Sequence, residues 1–543
     1  MSQRLASAGR LLAAGAALLP CVEAQCDLGQ LTAPAAEESD HFGISVAVGG
    51  GTAVVGAYLD DPACPASPSC NSGAAHVFEL GPAGWVAAGT LVPADAAAYD
   101  QFGHSVSISG DRIAVGSHQD GDAGTSSGAA YVFARSGSQW LEEAKLVAPD
   151  GAAQDQLGRA VAIAGERVLA GAPFDDDAGE GSGAAYVFEL APQGWVPTAK
   201  LTAPGAAAGD WFGYAVALDG DRAVVGAPQP YNGGRGAAYV FDFDGLAWQP
   251  RAVLAADDGQ PGDRFGDAVA VYGAVVVAGA PSHDGGATGS GAAYVYEPGP
   301  GGWTQRAELG ASPPEPQAGF GNAVAAWGER VLAGARYQDG AATNEGAVHV
   351  FERAGGGWPQ VEELTAANPL KSDQLGTSVA LEGDRVLAGA LTDGSGYNSG
   401  SAYSFRYPCA LLTGSPDQLS VGSGGVQTFG LAVDGAHALL PYLLLGSLSG
   451  TEPGFPISGL VLPLNADAYT LITLLQPGAP PLAGSLGTLD ASGQATASFT
   501  LPPGLPPTLA GQVLNHAFVV IEATPTLLAV VLASNPVALT LVP

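Results

Sequence analysis

Apolar and polar residues alternate in short runs along most of this chain, and the runs come back at regular intervals. In Ser105-Val106-Ser107-Ile108 every second residue is apolar; the pair Gly110-Asp111 follows, and then Arg112-Ile113-Ala114-Val115. Alternation broken by a two-residue turn predicts an antiparallel hairpin. The same turn position is filled by Gly165-Glu166, Gly220-Asp221, Gly328-Glu329 and Gly383-Asp384. After each hairpin come a Gly-Ala-Pro or a variant of it, a loop, an Ala-Tyr-Val-Phe-like run such as Ala130-Tyr131-Val132-Phe133, and a last run that opens with Trp and closes with Leu. Each unit therefore predicts four antiparallel strands and no helix.

The register of this unit is strict. Six tryptophans stand at Trp85, Trp140, Trp195, Trp248, Trp303 and Trp358, and a leucine follows each by six residues, from Leu91 to Leu364. Seven Phe-Gly or Leu-Gly pairs open the units: Phe42-Gly43, Phe102-Gly103, Leu157-Gly158, Phe212-Gly213, Phe265-Gly266, Phe320-Gly321 and Leu375-Gly376. A period near 55 residues with four strands per unit suits the blades of a propeller. Tryptophans and tyrosines that recur at fixed places read as packing between blades rather than as sugar platforms.

The seventh unit ends at Ser404-Phe405-Arg406-Tyr407 without a Trp-to-Leu run, while Leu31-Thr32-Ala33-Pro34 repeats the sequence of Leu201-Thr202-Ala203-Pro204. The N-terminus is thus expected to complete the last blade. Cys26 lies five residues before Leu31 and Cys409 four after Phe405; in the third unit the corresponding positions, 192 and 196, flank a hairpin turn. A Cys26–Cys409 bridge is expected there, with Cys64–Cys70 stapling a long loop of the first blade, both in keeping with an oxidising compartment.

These Phe-Gly and Gly-Ala-Pro signals resemble the FG-GAP repeat family, whose best-known member is the N-terminal propeller of integrin α chains. The resemblance covers about residues 26–409. It implies an all-β, seven-bladed propeller, followed here by a smaller unit. In integrin-like repeats calcium sits in an Asp-x-Asp-x-Asp-Gly loop between the first two strands. A two-residue Gly-Asp turn cannot supply those ligands, so this chain departs from the pattern and the family's calcium sites are not carried over. Asp175-Asp176-Asp177 is left as a cation candidate, set against the plainer reading of solvated loop acid, and no cofactor is expected beyond calcium at such a cluster.

Parity of the strands puts the loop after Gly-Ala-Pro and the linker between blades on one edge. Acid collects in both: Asp60, Asp61, Asp120, Asp122, Asp175 to Asp177, Asp284, Asp339 and Asp393 in the loops, and Asp100, Asp155, Asp210, Asp263 and Asp373 in the linkers. An acidic face with variable loops is the expectation.

Composition sharpens the reading. Arg4 and Arg10, the apolar run Leu11 to Leu19 and the small-residue site before Gln25 read as a signal peptide over 1–24. Pro20 beside Cys21 fits a lipoprotein cleavage site poorly. Gly, Pro and polar residues interrupt every apolar stretch further on, so no transmembrane segment is expected. With 52 acidic against 19 basic residues the formal charge is −33, which would repel nucleic acid. Beyond Arg406 no Lys or Arg occurs, a shift that separates a propeller over 25–409 from a β-sandwich-like module over 410–543, whose strand-like runs include Gln427–Val433, Ala495–Leu501 and Ala517–Ile521.

No HExxH, GxSxG or phosphate-binding loop occurs, and the eight histidines are scattered. His41 and His104, beside the Phe-Gly signal, read as packing or surface residues. The chain is read as a secreted, non-enzymatic, monomeric binding or adhesion-type scaffold for an extracellular protein or glycan. The rival readings are an extracellular polysaccharide hydrolase or lyase, for which an acidic face would offer paired carboxylates, and a structural component of the cell envelope.

Overall fold

The computed structural model describes residues 26–542 except 35–36, 38, 65–69, 82–83, 230–231, 394–398, 408–409, 417, 434–438, 449–454, 458–459, 463, 466, 478–479, 491–492, 524–527 and 535–536. The signal segment expected over 1–24 lies outside the described residues. One compact unit spans Asp27–Tyr407 and a second is built on Pro408–Pro543.

The first unit contains seven four-stranded sheets, six of them antiparallel throughout and ordered as the chain runs. Blade three is typical: Ala160–Ala164, Arg167–Ala172, Ala184–Ala191 and Gly194–Leu201. Blade seven is made of Leu375–Glu382, Arg385–Ala390, Ser401–Arg406 and, from the other end of the chain, Cys26–Leu31, which hydrogen-bonds to Ser401–Arg406. The first strand of each blade touches the first strands of both neighbours, and the contact between Phe42–Gly49 and Leu375–Glu382 closes the ring.

The two sequence signals have a shared physical cause. A Cβ added to Gly171, of the Gly-Ala-Pro signal, would lie 1.9 Å from the carbonyl oxygen of Gly213, of the next blade's Phe-Gly signal; Gly389 meets Gly43 in the same way across the closure. Backbones of adjacent blades thus approach to a distance that only glycine permits. Gly213 itself sits at φ +94°, where a side chain would be strained. The apolar positions fill the spaces between blades: Val132 and Leu146 of blade two pack with Val161, Val168 and Phe188 of blade three, and the last such cluster joins Leu31 and Leu387 to Phe42 and Val55.

The residue before each Phe-Gly or Leu-Gly pair is left-handed in all seven blades: His41, Gln101, Gln156, Trp211, Arg264, Gly319 and Gln374. This geometry turns the incoming linker down into the first strand. In six blades an aspartate precedes that residue and its carboxylate accepts the backbone N–H three residues earlier, as from Ala152 to Asp155 at 2.7 Å and from Ala207 to Asp210 at 2.8 Å. The linker aspartates Asp40, Asp100, Asp155, Asp210, Asp263 and Asp373 are therefore buried. They build the linker and do not face a partner, because each is the acceptor that fixes a tight turn.

Cys64 and Cys70 are disulfide-bonded, with their Cα atoms 6.0 Å apart. The expected Cys26–Cys409 bridge lies outside the described residues.

In the second unit, one sheet runs Ala410–Ser415, Gly425–Val433, Gln494–Leu501, Leu482–Ala483. The other runs Gln418–Ser420, Val537–Val542, Val513–Ala523, Pro441–Ser447, Leu486–Thr488. Phe429, Leu431 and Phe499 from the first meet Tyr442, Leu444, Phe518 and Leu539 from the second in a single core, so the module is a sandwich. Its α-helix Ala468–Leu475 was not legible as such, since its apolar residues continue the strand-like pattern; Asp467 and Thr470 cap it reciprocally. His516 is buried against Tyr469, whose hydroxyl lies 3.0 Å from Nε2, and burial lowers its pKa to about 3, so the ring is neutral packing.

Candidate functional site

Two edges of the ring use charge differently. On the edge of the Gly-Asp turns, the arginine that opens the second strand is tied down twice. Arg167 binds Glu189 at 2.7 Å and Asp221, and lies over Phe243 and Trp248 of the next blade. Arg222 binds Asp242 at 2.8 Å, donates to the Gly273 carbonyl of blade five and lies over Trp303. Arg330 pairs with Glu352 at 2.5 Å, donates to Gly383 of blade seven and lies over Tyr407. These cations are clamps between blades.

The opposite, linker edge holds most of the acid, but much of it is turned inward. Lys200 on the fourth strand of blade three lies 2.9 Å from Asp150, 2.8 Å from Asp175 and 2.5 Å from Asp177. The Tyr186 hydroxyl lies 2.8 Å from a carboxylate oxygen of both Asp150 and Asp175, with one proton to share between them, and Asp176 accepts the Gly181 N–H at 2.7 Å. The cation that faces the Asp175–Asp177 candidate is thus Lys200. Blade two repeats the arrangement with Lys145, Asp95, Asp120, Asp122 and Tyr131. In blade seven Asp393 accepts from Tyr403 and from Gln30 of the closing strand. The acidic edge foreseen from the sequence is in good part an internal network.

At the centre of this edge, where the first strands converge, the charge is reversed. Arg159 follows the Leu-Gly pair of blade three, Arg264 precedes the Phe-Gly pair of blade five, and Arg336 follows the Gly-Ala pair of blade six. All three act electrostatically on one buried carboxylate, Asp267, which burial pushes above the ordinary range against their pull. Arg264 pairs with Asp267 at 2.5 Å. Among the described residues no carboxylate lies within ion-pair distance of Arg159 or Arg336. Arg159 instead donates to the Tyr214 hydroxyl at 2.9 Å, and its guanidinium lies 4.6 Å from the centre of that ring.

Aromatic rings border the cations. Trp211 stacks on Tyr214 at 5.8 Å and 16°, and Phe174 meets Trp211 edge-on at 5.0 Å. One recess is lined by His118, Gln156, Arg159, Phe174, Trp211 and Arg264; its neighbour, across Arg264, is lined by Arg336, Tyr337, Asn322 and Thr288, with Asp284 at the rim. Outward from Trp211 a groove runs between blades three and four past Asp176, Glu180 and Asn232.

His104 closes the other side. Its Nε2 lies 3.3 Å from Arg159 Nη1 and its Nδ1 3.2 Å from the Arg159 carbonyl oxygen, so Nδ1 donates and Nε2 accepts. Burial and the nearby Arg159 lower its pKa to about 3; His118, 4.2 Å away ring to ring, is lowered further by burial and by His104. Both imidazoles are neutral and add no positive charge. His41 reaches the Tyr58 hydroxyl at 3.0 Å.

The sequence reading named His41 and His104 but not the arginines or Trp211. Part of their signal was present: Arg159, Trp211, Tyr214 and Arg264 stand at the positions flanking Phe-Gly or Leu-Gly, where Gln is the commonest residue, and Arg336 stands where the Gly-Ala-Pro signal has its proline. A guanidinium-rich, aromatic-edged recess has the chemistry to capture carboxylate or sulfate groups on a ring-bearing ligand.

These features define a closed seven-bladed β-propeller with a basic recess at the centre of one face. FG-GAP repeats are found at residues 27–78, 85–133, 140–188, 195–241, 248–296, 303–351 and 358–405, and the chain belongs to the FG-GAP repeat family. No curated protein matches its sequence. Among solved structures, it is similar to an acylaminoacyl peptidase from Pyrococcus horikoshii, with 10% identity and a TM-score of 0.36, over 73% of this chain and 58% of that one. It is also similar to an exo-beta-1,3-galactanase from Phanerochaete chrysosporium, with 8% identity and a TM-score of 0.25, over 73% of this chain and 91% of that one. At these scores neither likeness bears on activity. Among the described residues no helix is long and apolar enough to cross a membrane.

Proposed function

We propose that this protein is an exported binding scaffold that takes an acidic extracellular glycan, of the uronate type, in the central recess of its linker-side face. The observation that carries the reading is the convergence of Arg159, Arg264 and Arg336 beside the Trp211–Tyr214 stack, with Arg159 and Arg336 unpaired by carboxylates among the described residues. In a chain of charge −33, three guanidiniums that share the single carboxylate of Asp267 are unusual, and the group keeps an excess of positive charge. A guanidinium reads a carboxylate through two parallel N–H donors, while an aromatic face covers the apolar side of a sugar ring. The Cys64–Cys70 disulfide supports an oxidising compartment, in keeping with the expected signal segment.

The test is calorimetric titration of the whole chain with oligogalacturonate and oligoalginate, beside neutral dextran and cello-oligosaccharides. Binding of the acidic oligomers only, weakening as salt rises, is expected. Equal binding of neutral oligomers, or an Arg159→Ala/Arg336→Ala variant that binds as the parent does, would refute the proposal.

A further inference from the structure

The Lys-centred network of blades two and three has a counterpart in blade five in which the cation is missing. Counting from the closing leucine of the preceding blade, Asp95 and Asp150 correspond to Asp258; counting from the end of the second strand, Asp120 and Asp175 correspond to His283, and Asp122 and Asp177 to Gly285. On the fourth strand, one residue before the closing leucine, Lys145 and Lys200 correspond to Glu308. The tyrosine is kept: Tyr294 donates to Asp258 Oδ1 at 3.0 Å, as Tyr186 does to Asp150. Blade five has therefore exchanged an ammonium for a carboxylate and one carboxylate for an imidazole, while emptying the position between them.

The geometry left behind is that of donors facing one another. His283 is 5% exposed. Its Nδ1 lies 2.9 Å from Asp263 Oδ2, a buried acceptor, so this nitrogen carries the proton. Nε2 is fully shielded and has no hydrogen-bond partner. It lies 3.5 Å from Asp258 Oδ2 and 3.7 Å from Glu308 Oε1, and the three donor atoms fall within 4.8 Å of one another. A Cβ at Gly285 would come within 2.8 Å of Nε2 and 3.0 Å of Glu308 Oε1, so glycine leaves this space open.

From this geometry we infer that blade five carries a divalent metal site of the zinc type, with His283 Nε2, Asp258 Oδ2 and Glu308 Oε1 as ligands. One imidazole and two carboxylates at separations of this size fit an ion with bonds of about 2.0–2.2 Å, and the mixed nitrogen and oxygen set favours zinc or a similar transition ion over calcium. Asp263 is the outer partner that holds the ring: it fixes the Nδ1–H tautomer and aims Nε2 at the ion. Asp258 and Glu308 are exposed on their outer sides, which leaves coordination positions for water. The ion occupies in blade five the electrostatic place that Lys145 and Lys200 occupy in blades two and three, and so ties the linker, the loop and the fourth strand together.

The test uses the whole chain, stripped with chelator and titrated with Zn²⁺, with Co²⁺ as a coloured substitute. One equivalent of Zn²⁺ bound, a rise in melting temperature on binding, and a visible Co²⁺ spectrum of low coordination number are expected. Glu308→Lys is the decisive variant, because it restores the arrangement of blades two and three: it should remain folded, melt at or above the temperature of the metal-free parent and lose the Zn²⁺ equivalent. Asp263→Asn should keep the ligands and weaken Zn²⁺ by about tenfold or more. A parent chain that binds no Zn²⁺, or a folded Glu308→Lys variant that binds it as tightly as the parent, would overturn the inference.

Discussion

The two edges of the propeller spend a small stock of arginines in opposite ways. On the Gly-Asp edge, Arg167, Arg222 and Arg330 are each held by an acid of their own blade and by the turn and aromatic ring of the next. On the linker edge, Arg159 and Arg336 meet aromatic groups and no carboxylate within pairing distance among the described residues. The same residue type is a rivet in one place and, in the function proposed above, a recognition group in the other. What separates the roles is the kind of partner the neighbouring blade supplies: a carboxylate or turn carbonyl with an aromatic ring for Arg167, Arg222 and Arg330, but the Tyr214 hydroxyl and the His104 ring for Arg159.

The strongest perturbation of this comparison is at the contact that both edges depend on. Gly171→Ala would force a methyl carbon to 1.9 Å from the Gly213 carbonyl, and a loss of about 3 kcal/mol or more is expected in denaturant unfolding. Gly165→Ala, at φ +60° in an open turn, should cost only about 1 kcal/mol, which distinguishes close approach from backbone preference. If both variants lose the same amount, the glycine contact is not what seats one blade on the next.

Next in size is the recess. Arg159→Ala with Arg336→Ala should weaken oligogalacturonate binding by about 10- to 100-fold, equivalent to about 1.4–2.8 kcal/mol, while the melting temperature stays within error. Arg167→Ala should behave in the reverse manner. It is expected to cost about 1–2 kcal/mol of stability, through lost pairing and stacking, without altering glycan affinity. A binding defect in Arg167→Ala, or a stability defect in the double variant, would erase the distinction between the two edges.

The smallest effect is a pH slope. Burial raises the Asp100 carboxyl from 3.8 to about 6, against the Ala97 N–H it accepts. The folded chain thus holds this proton more tightly than the unfolded chain, so its contribution to stability falls as pH rises from about 4 to about 6. Asp100→Asn keeps an acceptor oxygen and removes the titration, and should flatten the melting-temperature profile in that window by the equivalent of about 1 kcal/mol. Asp150 has the opposite sign. Despite burial, Lys200 and Tyr186 hold it below its ordinary range, so its contribution is lost as pH falls through that depressed value, and Asp150→Asn should remove stability at neutral pH instead.

The repeat, the blade count and the closing strand were legible because they follow from local periodicity and from glycine, whose absent side chain is itself a message about close contact. The cysteine pair at 64 and 70 was legible for a similar reason, short spacing in one loop. The acid was misjudged: Asp100, Asp155 and Asp175 look like surface charge in the sequence but are buried acceptors. A carboxylate's fate depends on whether a backbone N–H or a tyrosine from another strand reaches it, and no local pattern carries that. Arg159, Arg264 and Arg336 stand more than 70 residues apart in the chain between each neighbouring pair, and the ring's curvature alone brings them to one opening.

By itself the sequence determined the strands, their order and the seven-fold closure, since alternation and glycine spacing act over a few residues and repeat. Only the tertiary structure decided which charges are clamps, which are buried and which remain free. That division arises from the electrostatics of positions far apart in the chain, where the presence or absence of one partner a few ångströms away reverses the role of the same side chain.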